Sequence, residues 1–119
     1  MSEPAAIAED YIAAWNETDS AARRAKLSEA WTPAASYADP LARAEGLPAI
    51  CDMIEGVHRR FPNFRFVLSG QPSGYGEFVR FRWTYGPAGT EPPIEGSDVV
   101  MIEDGKIAKV IGFLDKVPQ

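Results

Sequence analysis

The chain holds one cysteine, Cys51, and one histidine, His58, among its 119 residues. A lone cysteine cannot close an internal disulfide, so the fold does not depend on an oxidising compartment. Cys51 sits in a helical stretch without a basic flank and reads as a small buried or half-buried spacer. One histidine excludes a metal site built from several imidazoles. His58 is followed by Arg59 and Arg60 and reads as a surface or half-buried helix residue. Positive charge is also short. Twelve Lys and Arg stand against 17 Asp and Glu, a net charge of −5, which argues against the basic face that a nucleic-acid backbone requires. No apolar run is long enough to span a bilayer. The start, Met-Ser-Glu-Pro, lacks the basic and apolar regions of a signal peptide, and the expected location is cytoplasmic. A serine nucleophile elbow, a phosphate-cradling glycine loop and paired cysteines are all missing, and no motif implies a metal or an organic cofactor.

What is present is an ordinary globular composition, 45% hydrophobic and 24% charged, read as a single domain over 1–119. Pro4 suits a first helical turn, where its missing N–H costs nothing. Ile7, Tyr11 and Trp15 then recur every four residues, the stripe of an amphipathic helix ending near 16–19. Thr18, Asp19 or Ser20 can cap a second helix over 21–30 with Leu27 and Trp31 inside, stopped by Pro33. A short extended piece over 35–39 follows, and Pro40 keeps Asp39 out of the α region. Gly46 opens a third helix to about Arg60, with Ile50, Ile54 and Val57 on its buried side.

Beyond residue 63 the period changes from helical to two. Phe64, Phe66 and Leu68 alternate with polar positions, and 70–76 reads as a turn. Val79, Phe81, Trp83 and Tyr85 alternate with Arg80 and Arg82, a strand with one aromatic face. The stretch 86–93 reads as a loop. Two further strands, 94–103 and 106–115, meet across Asp104-Gly105, a strong hairpin signal. Helices followed by a run of antiparallel strands give an α+β class, with a curled sheet around the helices leaving an open-ended apolar cavity.

Carboxylates and phenols are left to carry any chemistry. Asp39 lies at the end of an extended segment, before a proline. Asp98 lies in a strand beside Val100 and Ile102, and burying its charge would require hydrogen bonds or a raised pKa. Val99 and Met101 are apolar too, so periodicity leaves open which face Asp98 takes. Tyr11, on the buried stripe of the first helix, needs a partner for its hydroxyl. Each has a structural alternative: a core tyrosine bonded to a carbonyl, a turn-capping aspartate, a buried structural acid.

Taken in order, Tyr11-Ile-Ala-Ala-Trp-Asn-Glu-Thr-Asp, Tyr37-Ala-Asp-Pro, the helix after Gly46, Arg60-Phe-Pro-Asn-Phe-Arg-Phe, Gly96-Ser-Asp and Asp104-Gly-Lys-Ile resemble the nuclear transport factor-like superfamily, in its SnoaL-like and ketosteroid isomerase-like branch. The resemblance covers nearly the whole chain. It implies a cone-shaped, cystatin-like roll with three N-terminal helices packed in a curved antiparallel sheet. By the same resemblance Tyr11 and a protonated Asp98 would bind a substrate oxygen and Asp39 would move a proton. The raised pKa of that strand acid is a known property of ketosteroid isomerase itself, and the resemblance alone extends it to Asp98.

Three functions follow as expectations. The first is an isomerase or cyclase acting on a small hydrophobic carbonyl compound in a pocket lined by Trp15, Trp31, Met53, Phe81, Trp83 and Val100. The tryptophans leave too little room for a steroid. The second is epoxide hydrolase-like activation of water, which needs an arginine between two aspartates; Arg80 and Arg82 fall on the opposite strand face. The third is a non-catalytic binder of a small ligand or a protein. The resemblance also implies a homodimer through the outer sheet face, where Val99 and Met101 alternate with charge.

Overall fold

The computed structural model describes residues 3–118. Three helices precede most of the sheet: α1 (Pro4–Asn16), α2 (Ser20–Ala30) and, after two strands, α3 (Leu47–Arg60). The strands are β1 (Trp31–Ala38), β2 (Arg43–Glu45), β3 (Phe64–Tyr75), β4 (Phe78–Pro87), β5 (Ile94–Glu103) and β6 (Lys106–Lys116). They form one curved, unclosed sheet in the order β2-β1-β6-β5-β4-β3. All pairs are antiparallel except β1 with β6. The architecture is α+β, with the helices against the concave side: α1 lies on β3 and β4, while α2 and α3 pack together and onto β1. Among the described residues no helix is long and apolar enough to cross a membrane.

Local chemistry accounts for most boundaries. Pro4 occupies the first turn of α1, where a missing N–H breaks no intrahelical bond. Asp19 caps α2 by accepting from the Ala22 amide at 2.8 Å. Asp104 and Gly105 both have positive φ, 52° and 80°, which makes the β5–β6 turn the tight type whose twist matches antiparallel strands.

Three expectations are corrected. Trp31 does not end α2 but begins β1, fully buried at 0% exposure. Pro33 lies within that strand and not at a helix stop. It is tolerated because the β1–β6 register shifts between Trp31 and Ser36, so its missing N–H costs no ladder bond. Of the stretch 70–76 only Gly76 turns the chain, together with Glu77. β3 runs on to Tyr75, and its Gly and Pro residues form a bulge between Ser69 and Ser73, with Gly70 at φ 74°. The strand β2 had no sequence signal; its three residues pair with Ser36, Tyr37 and Ala38.

The core lies between α1, α3 and the concave face. Val79, Phe81, Trp83 and Tyr85 point into it and Arg80 and Arg82 point away, as alternation on a half-buried strand requires. Arg23 is also buried, and its charge is met by Glu55 at 2.9 Å and by the Glu17 carbonyl.

Candidate functional site

The strand register decides the face of Asp98. It stands opposite Phe81 on β4 and opposite Gly112 on β6, so it shares the concave face with the aromatic stripe and is 3% exposed. Two donors reach its carboxylate. The Tyr11 hydroxyl, brought over by α1, donates to Oδ2, and the Trp83 indole donates to Oδ1 at 3.2 Å. Burial raises the Asp98 carboxyl from 3.8 to about 6. The two donors pull the other way, and the charges of Asp39 and Asp115 add to the rise. Desolvation wins over the donors.

Glycines make this arrangement fit. A Cβ at Gly96 would come within 2.3 Å of the Trp83 ring, and one at Gly112 within 2.9 Å of Asp98 Oδ1. The bare backbone at 96, directly opposite Trp83, lets the indole lie across the strand towards the acid. The bare backbone at 112 makes room for the carboxylate itself.

Asp39 lies just beyond the end of β1, and a Cβ at Gly112 would also be 3.2 Å from its own Cβ. The two aspartates therefore flank one position of β6. Both Asp39 oxygens are engaged. Oδ1 accepts the Leu41 and Ala42 amides at 2.7 and 2.8 Å, capping the turn before β2, and Oδ2 accepts the Tyr37 hydroxyl at 2.6 Å. Tyr37, buried on β1, thus stands between the two acids. Burial and the charge of Asp98 push its hydroxyl well above the ordinary phenol range, so it holds its proton. Burial followed by the charge of Asp98 does the same to Tyr11.

The apolar candidates divide. Trp31 stacks on Tyr11 at 5.7 Å and Phe81 meets it edge-on at 5.0 Å. With Val100 these two are no more than 2% exposed, so they back the site as packed core. Trp15 lies 5.8 Å from the Tyr37 ring. Met53 is half-buried against the core. Phe66, also half-buried, meets Trp15 at 5.3 Å and Trp83 at 5.1 Å, both edge-on. It covers the two tryptophans from outside. The expected open cavity is closed here: Tyr11, Asp98 and Trp83 are 2%, 3% and 8% exposed. Two clefts of about 360 and 550 Å³ lie elsewhere, both reaching Ile7 and Ile102 near the β5–β6 turn, and a third of about 540 Å³ is lined by β1, β2 and β6, Tyr37 included.

Arg80 and Arg82 are exposed on the convex side, so they do not stand between Asp39 and Asp98 in the arrangement that water activation needs. Among the described residues no cluster of His, Cys, Asp and Glu is placed to hold a metal ion. Sequence reasoning passes over Tyr37 and Gly112. The spacing Tyr37-Ala-Asp39 puts both on one strand face and could have shown the pair. Gly112 becomes visible only through the register that sets it between two acids.

The SnoaL-like domain family matches residues 8–110. The structure superposes on a proposed isomerase of the SnoaL-like family from Agrobacterium tumefaciens with a TM-score of 0.89 and 43% identity, covering 92% of this chain and 95% of the other. A proposed polyketide cyclase from Sinorhizobium meliloti superposes at 0.72 with 21% identity, covering 90% and 93%. A proposed ketosteroid isomerase from Kribbella flavida does so at 0.72 with 13% identity, covering 98% and 80%. The last two show likeness of fold alone. No curated protein matches the chain.

Proposed function

The chain belongs to the SnoaL-like family, and from that premise we propose that it is an isomerase or cyclase that moves a proton on a small hydrophobic carbonyl compound, with Asp98 carrying the proton. One observation carries the reading: Asp98 is a carboxylate removed from water, raised to about 6, and held in place by Tyr11 and Trp83. A desolvated carboxylate is a stronger base than one in water, and a pKa near 6 leaves it ionised yet able to take up a proton at neutral pH. In the proposed step Asp98 removes a proton from the carbon next to the carbonyl. The C–H electron pair becomes the enolate double bond and negative charge gathers on oxygen. An isomerase returns the proton at another carbon; in a cyclase the enolate carbon bonds to a second carbonyl carbon within the molecule, the π pair of that carbonyl moves to its oxygen, and the oxygen takes the proton back from Asp98. Asp39 keeps the Asp98 pKa up by its charge and orients Tyr37, its own oxygens being held by the turn.

The test is exchange of α-hydrogens for deuterium in small cyclic ketones such as 1-indanone, followed by NMR in D2O. Exchange should be catalysed, should rise with pH through about 6, and should vanish in Asp98→Asn while persisting in Asp39→Asn. A second reading is a binder without turnover, for which the apolar lining of Trp15, Phe66 and Trp83 would supply the contact. Saturable ketone binding with no exchange at any pH would select it.

We also propose a homodimer through the convex face. Ile111 and Phe113 are 37% and 50% exposed there, and Val99 stands opposite Ile111 in the register. Such a run of apolar side chains on an outer face is the mark of an interface.

A further inference from the structure

The Asp98 site is closed, and one strand closes it. Phe66 on β3 stands edge-on to Trp15 and Trp83 and stacks on Tyr85 at 4.0 Å. β3 is an edge strand, paired with β4 alone. Among the described residues it is also the one strand that holds no buried residue: over 64–69 half-buried and exposed positions alternate. Every other strand of the sheet buries at least one. Few buried contacts mark the elements that open locally while the rest of a fold stays intact.

The outer edge of β3 is held by Asn16, the last residue of α1. Its Nδ2 donates to the Phe66 carbonyl and its Oδ1 accepts the Phe66 amide, each at 2.8 Å. One side chain thus stands where a neighbouring strand would pair. The same two bonds show that Phe66 turns its backbone groups to the free edge, so Arg65 and Val67 turn theirs to β4. The α1 side of this contact is anchored. His58 Nε2 donates to the Trp15 carbonyl at 2.6 Å, tying α3 to an acceptor that the end of α1 leaves without an intrahelical partner.

The stretch also has a break at each end. Asn63 before it has φ 70° and Gly70 after it has φ 74°. The β3–β4 register is interrupted between Ser69 and Ser73, so residues 64–69 are paired as a unit of their own. Short units bounded in this way are the ones that hinge. We propose that residues 64–69 are the gate of the Asp98 site, lifting away from α1 and β4 between Asn63 and Gly70, with the Asn16 side chain as the latch. Opening breaks both Asn16 bonds and carries the Phe66 ring away from Trp15 and Trp83. It uncovers the indole that donates to Asp98 and leaves a place bounded by Trp15, Trp83 and Tyr85 for a flat apolar ring. That the gate serves a ligand rests on the reading of Asp98 as a working site; the movement itself is measured without one.

The experiment is hydrogen exchange of the whole protein in D2O, followed by NMR. The Arg65 and Val67 amides and the Trp83 indole N–H should exchange together, at a rate that low urea hardly changes, because a local opening exposes little surface. The Trp31 indole, at 0% exposure, should exchange only with global unfolding and so accelerate with urea. Two variants separate the routes. Asn16→Ala removes bonds that are broken in the open state and should speed the three gate protons about tenfold. Ile50→Val, in the core of α3 at 0% exposure, weakens contacts that the open state keeps. It should speed Trp31 and leave the gate protons unchanged. Gate protons that follow urea as Trp31 does, that respond equally to both variants, or that ignore Asn16→Ala would each overturn the proposal. Should Asn16→Ala fold poorly, the urea series and Ile50→Val still decide. The two readings fail separately. Local exchange of the gate protons without catalysed deuteration of 1-indanone keeps the gate and removes the proton transfer. Catalysed deuteration with gate protons that exchange only by global unfolding removes the gate and keeps the proton transfer.

Discussion

Trp83 reaches Asp98 across a strand position that has no side chain: its indole donates to Oδ1 at 3.2 Å while its ring lies where a Cβ of residue 96 would stand, 2.3 Å away. The same feature recurs at Gly112, against the carboxylate itself. Positioning of the acid is therefore written partly into residues with no chemistry of their own.

Gly96→Ala is accordingly expected to push the Trp83 ring aside and to cost about 1–3 kcal/mol through overpacking. Loss of the indole donor should raise the Asp98 pKa further, because that bond favours the ionised form. Tryptophan fluorescence and thermal unfolding read the first effect, and carboxyl NMR reads the second.

Asp98→Asn should make the protein more stable at alkaline pH. The folded state raises the Asp98 carboxyl from 3.8 to about 6, so it binds the proton more tightly than the unfolded chain does. Stability from that proton is present below about pH 4 and is lost as pH rises through about 6. An amide escapes the loss, worth about 3 kcal/mol at most for a shift of two units. Thermal unfolding at pH 8 and pH 4 should show the variant above the wild type at pH 8, with the gap narrowing at pH 4.

Some of this is legible in the sequence, and the rest is hidden for physical reasons. The stripe Ile7, Tyr11, Trp15 and the alternation from Val79 to Tyr85 each carry their own period, so α1 and the concave face of β4 can be read directly. Asp104-Gly105 announces its turn because few other pairs accept positive φ twice. Trp31 misleads because a large apolar residue after a helix extends the helical stripe as well as it begins a strand. The stretch 70–76 misleads because a bulge uses the same Gly and Pro residues as a turn. The site needs long-range information. Asp98 sits among Val99, Val100 and Met101, apolar on both faces, and pairing with β4 and β6 chooses between them. Closure of the cavity by Phe66 depends on how β3 meets α1, which no local pattern encodes.

Phe66→Ala should open the site. Phe66 meets Trp15 and Trp83 edge-on from the outside, so its removal exposes both indoles. Acrylamide should quench tryptophan fluorescence more strongly in the variant, at a stability cost of about 2–4 kcal/mol. Unchanged quenching would place the entrance elsewhere.

Phe113→Asp should break the proposed dimer. Phe113 is half-exposed on the convex face, away from Asp98, so the charge should leave monomer folding intact. Light scattering at micromolar concentration should give a dimer mass for the wild type and a monomer mass for the variant. A monomeric wild type would contradict the interface.

The proposed chemistry turns on Asp98 being a desolvated carboxylate with a raised pKa. The direct measurement is a pH titration of its side-chain carboxyl by 13C NMR, with assignment fixed by Asp98→Asn. An apparent pKa near 6, falling back towards 4 when Phe66→Ala admits water, is the result predicted. A pKa at or below 4 in the wild type would mean that Tyr11 and Trp83 outweigh burial, leaving Asp98 a structural anion and removing the basis for proton transfer at this site.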